Sequence, residues 1–440
     1  MHLCEYVVGL LVITSVLALI SHRYQIPYPI LLVVSGAGLG FVPHLLAQGL
    51  LWTTGLTWTP PVWQLDPQLV FLLFLPPLLY AAAFLTVWTE FYARLRAITL
   101  LAVGLVFVST FAVAAVGYYV FELPWTVGCV LGAIVSPPDA VAAAAITQRL
   151  RVPRIITTIL EGESLINDAS GLVAYRFAVA AVTSGVFVPE HAAVEFAFTG
   201  GCGIIWGLVM GWTVVRFHRW LRNCDGLAAP VVVTITLLTP YLVYLPAEHL
   251  HISGVLAVVT AGLFVGRQAE ELFAPDLLKA GHVVWQTVEY LLNSLIFILI
   301  GLQLPAITQQ LDDRLSVAEL IGYPVWFTLT LIIVRIVWVI PMAYLPRWLF
   351  PAIRRREPRP PLTWVIVVAW TGMRGVVSLA AALALPLTLA DGRTPFPERA
   401  LVQYITFWAI FGTLVVQGLT LPYLLCWLGV KAEPAPEPHG

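Results

Sequence analysis

Lysine is nearly absent: Lys279 and Lys431 are the only two in 440 residues. Charge of either sign is scarce. Asp, Glu, Lys and Arg make up 11% of the chain, against about 25% in soluble domains. The net charge of −1 argues against a nucleic-acid partner. The five cysteines (Cys4, Cys129, Cys202, Cys224 and Cys426) have neither metal-ligand nor disulfide spacing. Four of them lie in or beside apolar segments and read as small buried hydrophobes. What the chain does have is apolar surface: 60% hydrophobic residues and a mean hydropathy of +0.89. No soluble fold hides that much, so the chain reads as a polytopic membrane protein.

The first apolar run, CEYVVGLLVITSVLALIS, lacks a basic n-region, and a second run follows almost at once. It therefore reads as a transmembrane helix and not as a signal peptide. A helical span needs about 20 mostly apolar residues, whereas barrel strands would be shorter and alternating. Thirteen candidate spans fit the helical pattern: 5–21, 28–46, 68–88, 97–121, 125–146, 155–182, 193–215, 228–246, 252–266, 283–304, 321–345, 362–385 and 400–428. The expected fold class is an all-α polytopic bundle.

With the N-terminus outside, 17 of the 23 basic residues fall in inner loops or the C-terminal tail, 3 in outer loops and 3 (Arg176, Arg335 and Arg374) within spans. This is the positive-inside pattern of a cytoplasmic (inner) membrane protein with its C-terminus in the cytoplasm. Residues 431–440 read as a short disordered tail. The basic inner loop 347–361, RWLFPAIRRREPRPP, reads as a topology determinant and a lipid contact.

An ionised carboxylate at bilayer depth costs several kcal/mol unless it is compensated, so the intramembrane charges are the informative residues. In LEGESLINDAS, residues 160–170, Glu161, Ser164 and Asp168 follow i, i+3, i+7 and share one stripe of a helix. Glu163 and Asn167 share a second face, offering a carboxylate able to pair with an arginine. In span five, Pro137 and Pro138 remove two N–H donors in mid-span and Asp139 follows directly. Such breaks at membrane depth free backbone carbonyls and are tolerated where they line a cavity. Carboxylates, a hydroxyl and free carbonyls converging there make an oxygen site for a hard cation. Carboxylates that protonate also suit proton exchange. Span twelve has its own interruption around Gly372, Arg374 and Gly375. Two interrupted helices offset by seven spans point to inverted six-helix repeats of a transporter. Arg176 and Glu289, as single charges, read as side chains that snorkel to the interface.

The segments SPPDAVA, EGESLINDA and GMRGVVSLAAALALP occur in that order, with IIVRIVWV between the last two. The chain thereby resembles the sodium/proton antiporters of the monovalent cation:proton antiporter-1 family over nearly all thirteen spans. The resemblance implies exchange of Na⁺, and of Li⁺, for H⁺ by electroneutral, elevator-type alternating access, serving pH and sodium homeostasis, with no cofactor. It implies a homodimer, with residues 1–430 as one transporter unit. A moving core includes spans near 125–182 and 321–428, and dimerisation helices lie elsewhere. By position, Asp168 binds the ion, with Na⁺ held by Asp168, Ser164 and Asp139. Asn167 belongs to the same cation- and proton-binding set, with the Pro138 carbonyl as a further ligand, and Glu163 pairs with either Arg335 or Arg374. Glu161 is grouped with these supporting charges. Two departures stand out. Pro138-Asp139-Ala140 replaces the usual Thr-Asp-Pro, and Ala81–Ala83 leave span three without its usual acid. A K⁺/H⁺ antiporter of the same fold is the nearest alternative. A cation channel and an intramembrane aspartyl protease belong to other classes: the first would not need buried titratable acids, and the second lacks a Gly-x-Gly-Asp context. EHLHIS, residues 248–253, lacks metalloprotease spacing and reads as a loop or pH-responsive element at an outer end.

Overall fold

The structure, a computed structural model, describes residues 2–24, 26–54, 66–150, 152–185, 189–222, 229–311 and 315–430. The tail 431–440, Arg151, Arg314 and Cys224 lie outside the described residues.

Helices α1 (His2–Tyr24) and α2 (Tyr28–Thr54) open the chain. Next, α3 (Pro67–Leu69) passes through a π-helical turn, Val70–Phe74, into α4 (Leu75–Leu85). In the same way α5 (Trp88–Thr99) passes through Leu100–Leu105 into α6 (Val106–Phe121). The halves of one span are α7 (Trp125–Val135) and α8 (Ala140–Arg149). Then come α9 (Arg154–Ser184), α10 (Pro189–Arg222), α11 (Ala229–His249) and α12 (Gly254–Arg267). A short α13 (Ala269–Leu272) leads into α14 (Pro275–Leu302) and α15 (Leu304–Thr308). After α16 (Val317–Leu349) and α17 (Pro351–Arg356), a second broken span forms α18 (Leu362–Trp370) and α19 (Val376–Leu383). Helix α20 (Arg399–Trp427) follows.

Among the described residues, ten helices are long and apolar enough to cross a membrane, with Tyr28–Val42 and Gly254–Arg267 as shorter apolar helices. The α18–α19 pair completes the thirteen expected spans. The only strand pairing among the described residues is an isolated bridge, Thr388 to Pro395. Several helices run past the expected limits. Arg94 and Arg96, expected in a loop, sit on α5, because an amphipathic first half extends that helix ahead of its apolar run.

Irregular backbone is matched by side-chain donors, as membrane depth requires. Pro76 and Pro77 at the start of α4 lack the N–H groups that would close the preceding turn, and the Tyr241 hydroxyl donates to the freed Leu73 carbonyl at 3.0 Å. At the second π-turn, Trp338 Nε1 donates to Leu100 O at 3.1 Å and the Ser170 hydroxyl donates to Ala102 O.

Small residues let helices approach closely, as usual in membranes. Gly203, Gly207 and Gly211 form a stripe on α10, and a Cβ added at Gly207 would collide with the Ala257 carbonyl of α12. Helices α5 to α9 pack with α16, α18, α19 and α20, while α4, α10, α11 and α12 pack around a separate apolar cluster that includes Trp285 of α14. Helix α14 lies along α2 and faces α4.

Candidate functional site

The two broken spans meet at their breaks. The Asp139 N–H donates to the Met373 carbonyl at 2.7 Å, joining segment 136–139 to segment 371–375. Prolines 137 and 138 produce the first break by removing donors. At the second, Gly375 fits where a side chain does not: an added Cβ would collide with the Asp139 carboxylate. Gly372 similarly leaves room for the stem of Arg335.

Each half-helix end carries uncompensated partial charge, positive at N-termini and negative at C-termini. The buried charges match these signs. Asp139 caps the start of α8, its Oδ1 accepting from the Val141 N–H at 2.8 Å, and it touches Gly375 just before α19. Arg374 donates through Nη1 to the Ser136 carbonyl at the end of α7. Its backbone N–H donates to Thr413 Oγ1 at 3.0 Å. Arg335 donates through Nε to the Val368 carbonyl in the last turn of α18, at 3.1 Å.

Helix α9 crosses this junction. Glu163 takes two hydrogen bonds from Arg335, at 2.6 and 2.8 Å, with both side chains 1% exposed. The pairing left open by sequence is thus Arg335. No carboxylate pairs with Arg374 among the described residues, in keeping with Ala81–Ala83 supplying no acid from α4. Asn167 Nδ2 donates to the Pro138 carbonyl at 2.8 Å, and the Ala140 N–H donates to Ser164 Oγ at 3.2 Å. The freed carbonyls of Ser136 and Pro138 each accept one hydrogen bond, as a carbonyl at depth needs a donor, and each keeps a second lone pair.

Asp168 is different. It is buried, 8% exposed, yet its carboxylate has no hydrogen bond or ion pair among the described residues. It faces a cavity of about 750 Å³ whose walls also carry Asp139, Ser164 and Glu161. The i, i+3, i+7 stripe of α9 thus lies on one cavity wall, as its spacing requires. Asn167 and Glu163 point away from it and hold α9 against the broken spans. Free carboxylate oxygens beside a hydroxyl and a second carboxylate are able to accept either a proton or one cation. Among the described residues no three His, Cys, Asp or Glu side chains cluster closely enough to hold a metal ion, so any cation there draws on mixed oxygens.

The opposite wall belongs to α14, which supplies His282, Gln286, Glu289 and Asn293. Glu289, expected to snorkel, lines this cavity instead. The signal was legible: intervals of four, three and four place these residues on one stripe of an apolar helix. Tyr28 of α2, also on the wall, has no comparable signal. Arg176 does not act alone either. It pairs with Glu248 at 3.2 Å, in the EHLHIS segment, which ends α11 and forms the turn into α12. Cys129, Cys202 and Cys426 are free thiols. Cys129 and Cys202 are half-buried, and Cys426, read as a buried hydrophobe, is exposed.

A bundle of apolar helices with two spans broken at one point, and buried carboxylates there facing a cavity, has the architecture of a secondary transporter. Comparison with known proteins agrees. The family model described as "Sodium/hydrogen exchanger, transmembrane" matches residues 10–427, and the chain belongs to that family. It is 34% identical over 372 residues to the sodium, potassium, lithium and rubidium/H(+) antiporter of Bacillus pumilus, covering 82% of this chain and 54% of that protein. It is 33% identical over 417 residues to the uncharacterized Na(+)/H(+) exchanger YjcE of Escherichia coli, covering 91% of this chain and 72% of that protein. The chain spans about half the length of the Bacillus relatives it matches. Its fold matches that of the sodium proton antiporter MjNhaP1 from Methanocaldococcus jannaschii with a TM-score of 0.72, at 18% identity, over 97% of this chain and 98% of that one.

Proposed function

We propose that this protein exchanges Na⁺, and also Li⁺, for H⁺ across the cytoplasmic membrane. The observation that carries this reading is the unpartnered carboxylate of Asp168 on the cavity wall, beside Ser164 and Asp139. A carboxylate holding a proton no longer holds a cation well, so one group serves both ions in turn. Ser164 and Asp139 complete the cation's oxygen shell. Asn167, through the Pro138 carbonyl, and Glu163, through Arg335, keep the shell in place.

The exchange is electroneutral, one cation for one proton. Glu163 stays with Arg335 throughout, because separating that pair at depth leaves an uncompensated charge, and only Asp168 cycles. The protein works as a homodimer, and its core moves as a body past the dimerisation helices. The arginine distribution supports an outer N-terminus and an inner C-terminus. The cavity reaches His282, about two turns into α14 and toward the Arg267 and Lys279 end, which supports a route for ions on the cytoplasmic side. Homeostasis of pH and sodium follows from such an exchange.

A second reading, K⁺/H⁺ exchange at the same site, is favoured by the printed name of the Bacillus relatives, which includes potassium and rubidium. Counterflow in proteoliposomes with Na⁺, Li⁺ and K⁺ separates the two. In the same assay Asp168→Asn abolishes cation-driven proton movement while the protein still inserts and melts as the parent does. Substantial residual antiport in that variant overturns the assignment.

A further inference from the structure

A second cavity, of about 380 Å³, takes no part in the site above. It lies between α5, the first turns of α9, the last turns of α16, and α18. Its size falls in the range of about 300–1,000 Å³ typical of small-molecule pockets. Its depth is apolar, with Leu101, Ile156, Val339 and Val365 among the walls. Its mouth is not: Arg94, Arg96, Arg347 and Arg359 gather there around a single carboxylate, Glu357.

Glu357 accepts from Arg96 Nη2 at 2.6 Å and from Arg347 Nη2 at 3.0 Å. One carboxylate therefore serves two guanidinium groups, and the excess positive charge is unmatched. Arg94 and Arg359 have no ion pair among the described residues. Arg96 Nη1 and Arg347 Nε are buried and donate to nothing among the described residues. Hydrogen bonds from Arg96, ahead of the charges of Arg96 and Arg347, hold the Glu357 carboxyl below its ordinary value, so the charge at the mouth is constant at neutral pH. Beside the mouth, Trp348, Phe350 and Leu362 are exposed, as apolar side chains are where a bilayer interface covers them.

We propose that this cavity binds an anionic phospholipid of the inner leaflet, its phosphate held by the arginines and one acyl chain lying in the apolar depth. Guanidinium groups match phosphate oxygens with paired hydrogen bonds. An apolar cavity opening under a cationic mouth, at a membrane surface, fits an amphiphile better than a free anion. The site adjoins the ion machinery: Val368, on the cavity wall, is the residue whose carbonyl accepts Arg335 Nε. A bound lipid braces α5, α16 and α18 at that turn. The inference stands apart from the ion exchange, and its test measures no transport.

The test is native mass spectrometry of the purified chain in uncharged detergent, titrated with phosphatidylglycerol, phosphatidylcholine or inorganic phosphate. Phosphatidylglycerol is retained in preference to phosphatidylcholine. The double variant Arg94→Gln/Arg359→Gln, which removes no ion pair, weakens that retention about 25-fold, roughly fivefold for each guanidinium. Ala97→Phe, which fills the cavity and leaves the arginines, weakens it as well, and millimolar phosphate does not displace the lipid. A melting curve checks that both variants are folded. Equal retention of the two lipids, or unchanged retention in the double variant, overturns the proposal. So does full competition by phosphate with no effect of Ala97→Phe, since that pattern marks a surface anion site.

Discussion

Glu163 and Arg335 are each 1% exposed and joined by two short hydrogen bonds. Removing one partner of such a pair leaves a buried charge without compensation, at about 3–5 kcal/mol, whereas replacing both with apolar groups is far milder. Glu163→Gln is therefore expected to lower stability by about that amount, and Glu163→Met/Arg335→Met to recover much of it. Denaturation of the purified variants checks this; a double variant no better than the single one contradicts it. Gly375 gives the complementary case. It carries no chemistry, but its missing side chain is what admits the Asp139 carboxylate. Gly375→Ala forces that carboxylate off its place at the start of α8. Transport is expected to fall by at least about tenfold, the scale of losing a ligand's supporting contacts, with the melting temperature less affected. Proteoliposome assays at saturating Na⁺ read the loss directly.

Helix α10 tests the packing of small residues within one element. A Cβ at Gly207 meets the Ala257 carbonyl of α12, while one at Gly201 meets nothing within 4 Å. Gly207→Ala is thus expected to destabilise by about 1–3 kcal/mol through overpacking. Gly201→Ala, on the same helix, is expected to be neutral or stabilising by up to about 1 kcal/mol, because glycine in a helix interior is entropically unfavourable. Equal effects of the two variants rule out the close α10–α12 contact. Helix α14 makes the polar counterpart. Its stripe of His282, Gln286, Glu289 and Asn293 faces the acids of α9 across the cavity, and in the proposed exchange Glu289 adds negative charge where the cation enters. Glu289→Gln is expected to raise the apparent Michaelis constant for Na⁺ a few-fold, most at low ionic strength where the field is least screened. Val283→Ala, on the exposed face of α14, serves as the silent control.

For the whole molecule, the proposed cycling of Asp168 alone leads to one pH dependence and one charge stoichiometry. In the proposed exchange, protons and cations compete for the same oxygens. The apparent affinity for Na⁺ is therefore expected to weaken as pH falls and to level off once the carboxylate is fully ionised, with no separate sensor required. A Michaelis constant that stays flat as pH is lowered through the carboxylate's titration contradicts this. Under an imposed membrane potential, set with K⁺ and valinomycin once K⁺ is excluded as a substrate, the Na⁺/H⁺ equilibrium point is expected to stay put. A shift with voltage means that a second proton moves, with Asp139 or Glu161 as its carrier.

Sequence alone determined the class, the number of spans and the places where two of them break. Those features depend on local causes: apolar runs of bilayer length, prolines without N–H donors, and glycines where chain segments come close. It also determined that Glu161, Ser164 and Asp168 share a face, because helical periodicity settles that without any neighbour. The partners were decided only by tertiary structure. Arg335 and Arg374 are equally plausible mates for Glu163 along the chain, and the choice lies in the crossing of α16 over α9, which places Arg335 within 2.6 Å of the carboxylate. The Pro138 carbonyl looks free from its own span and is taken by Asn167 from another. Glu289 looks like a lone charge until α14 is set opposite α9. Long-range packing fixes such contacts, and no local pattern encodes them, since they depend on where two separately formed helices come to lie.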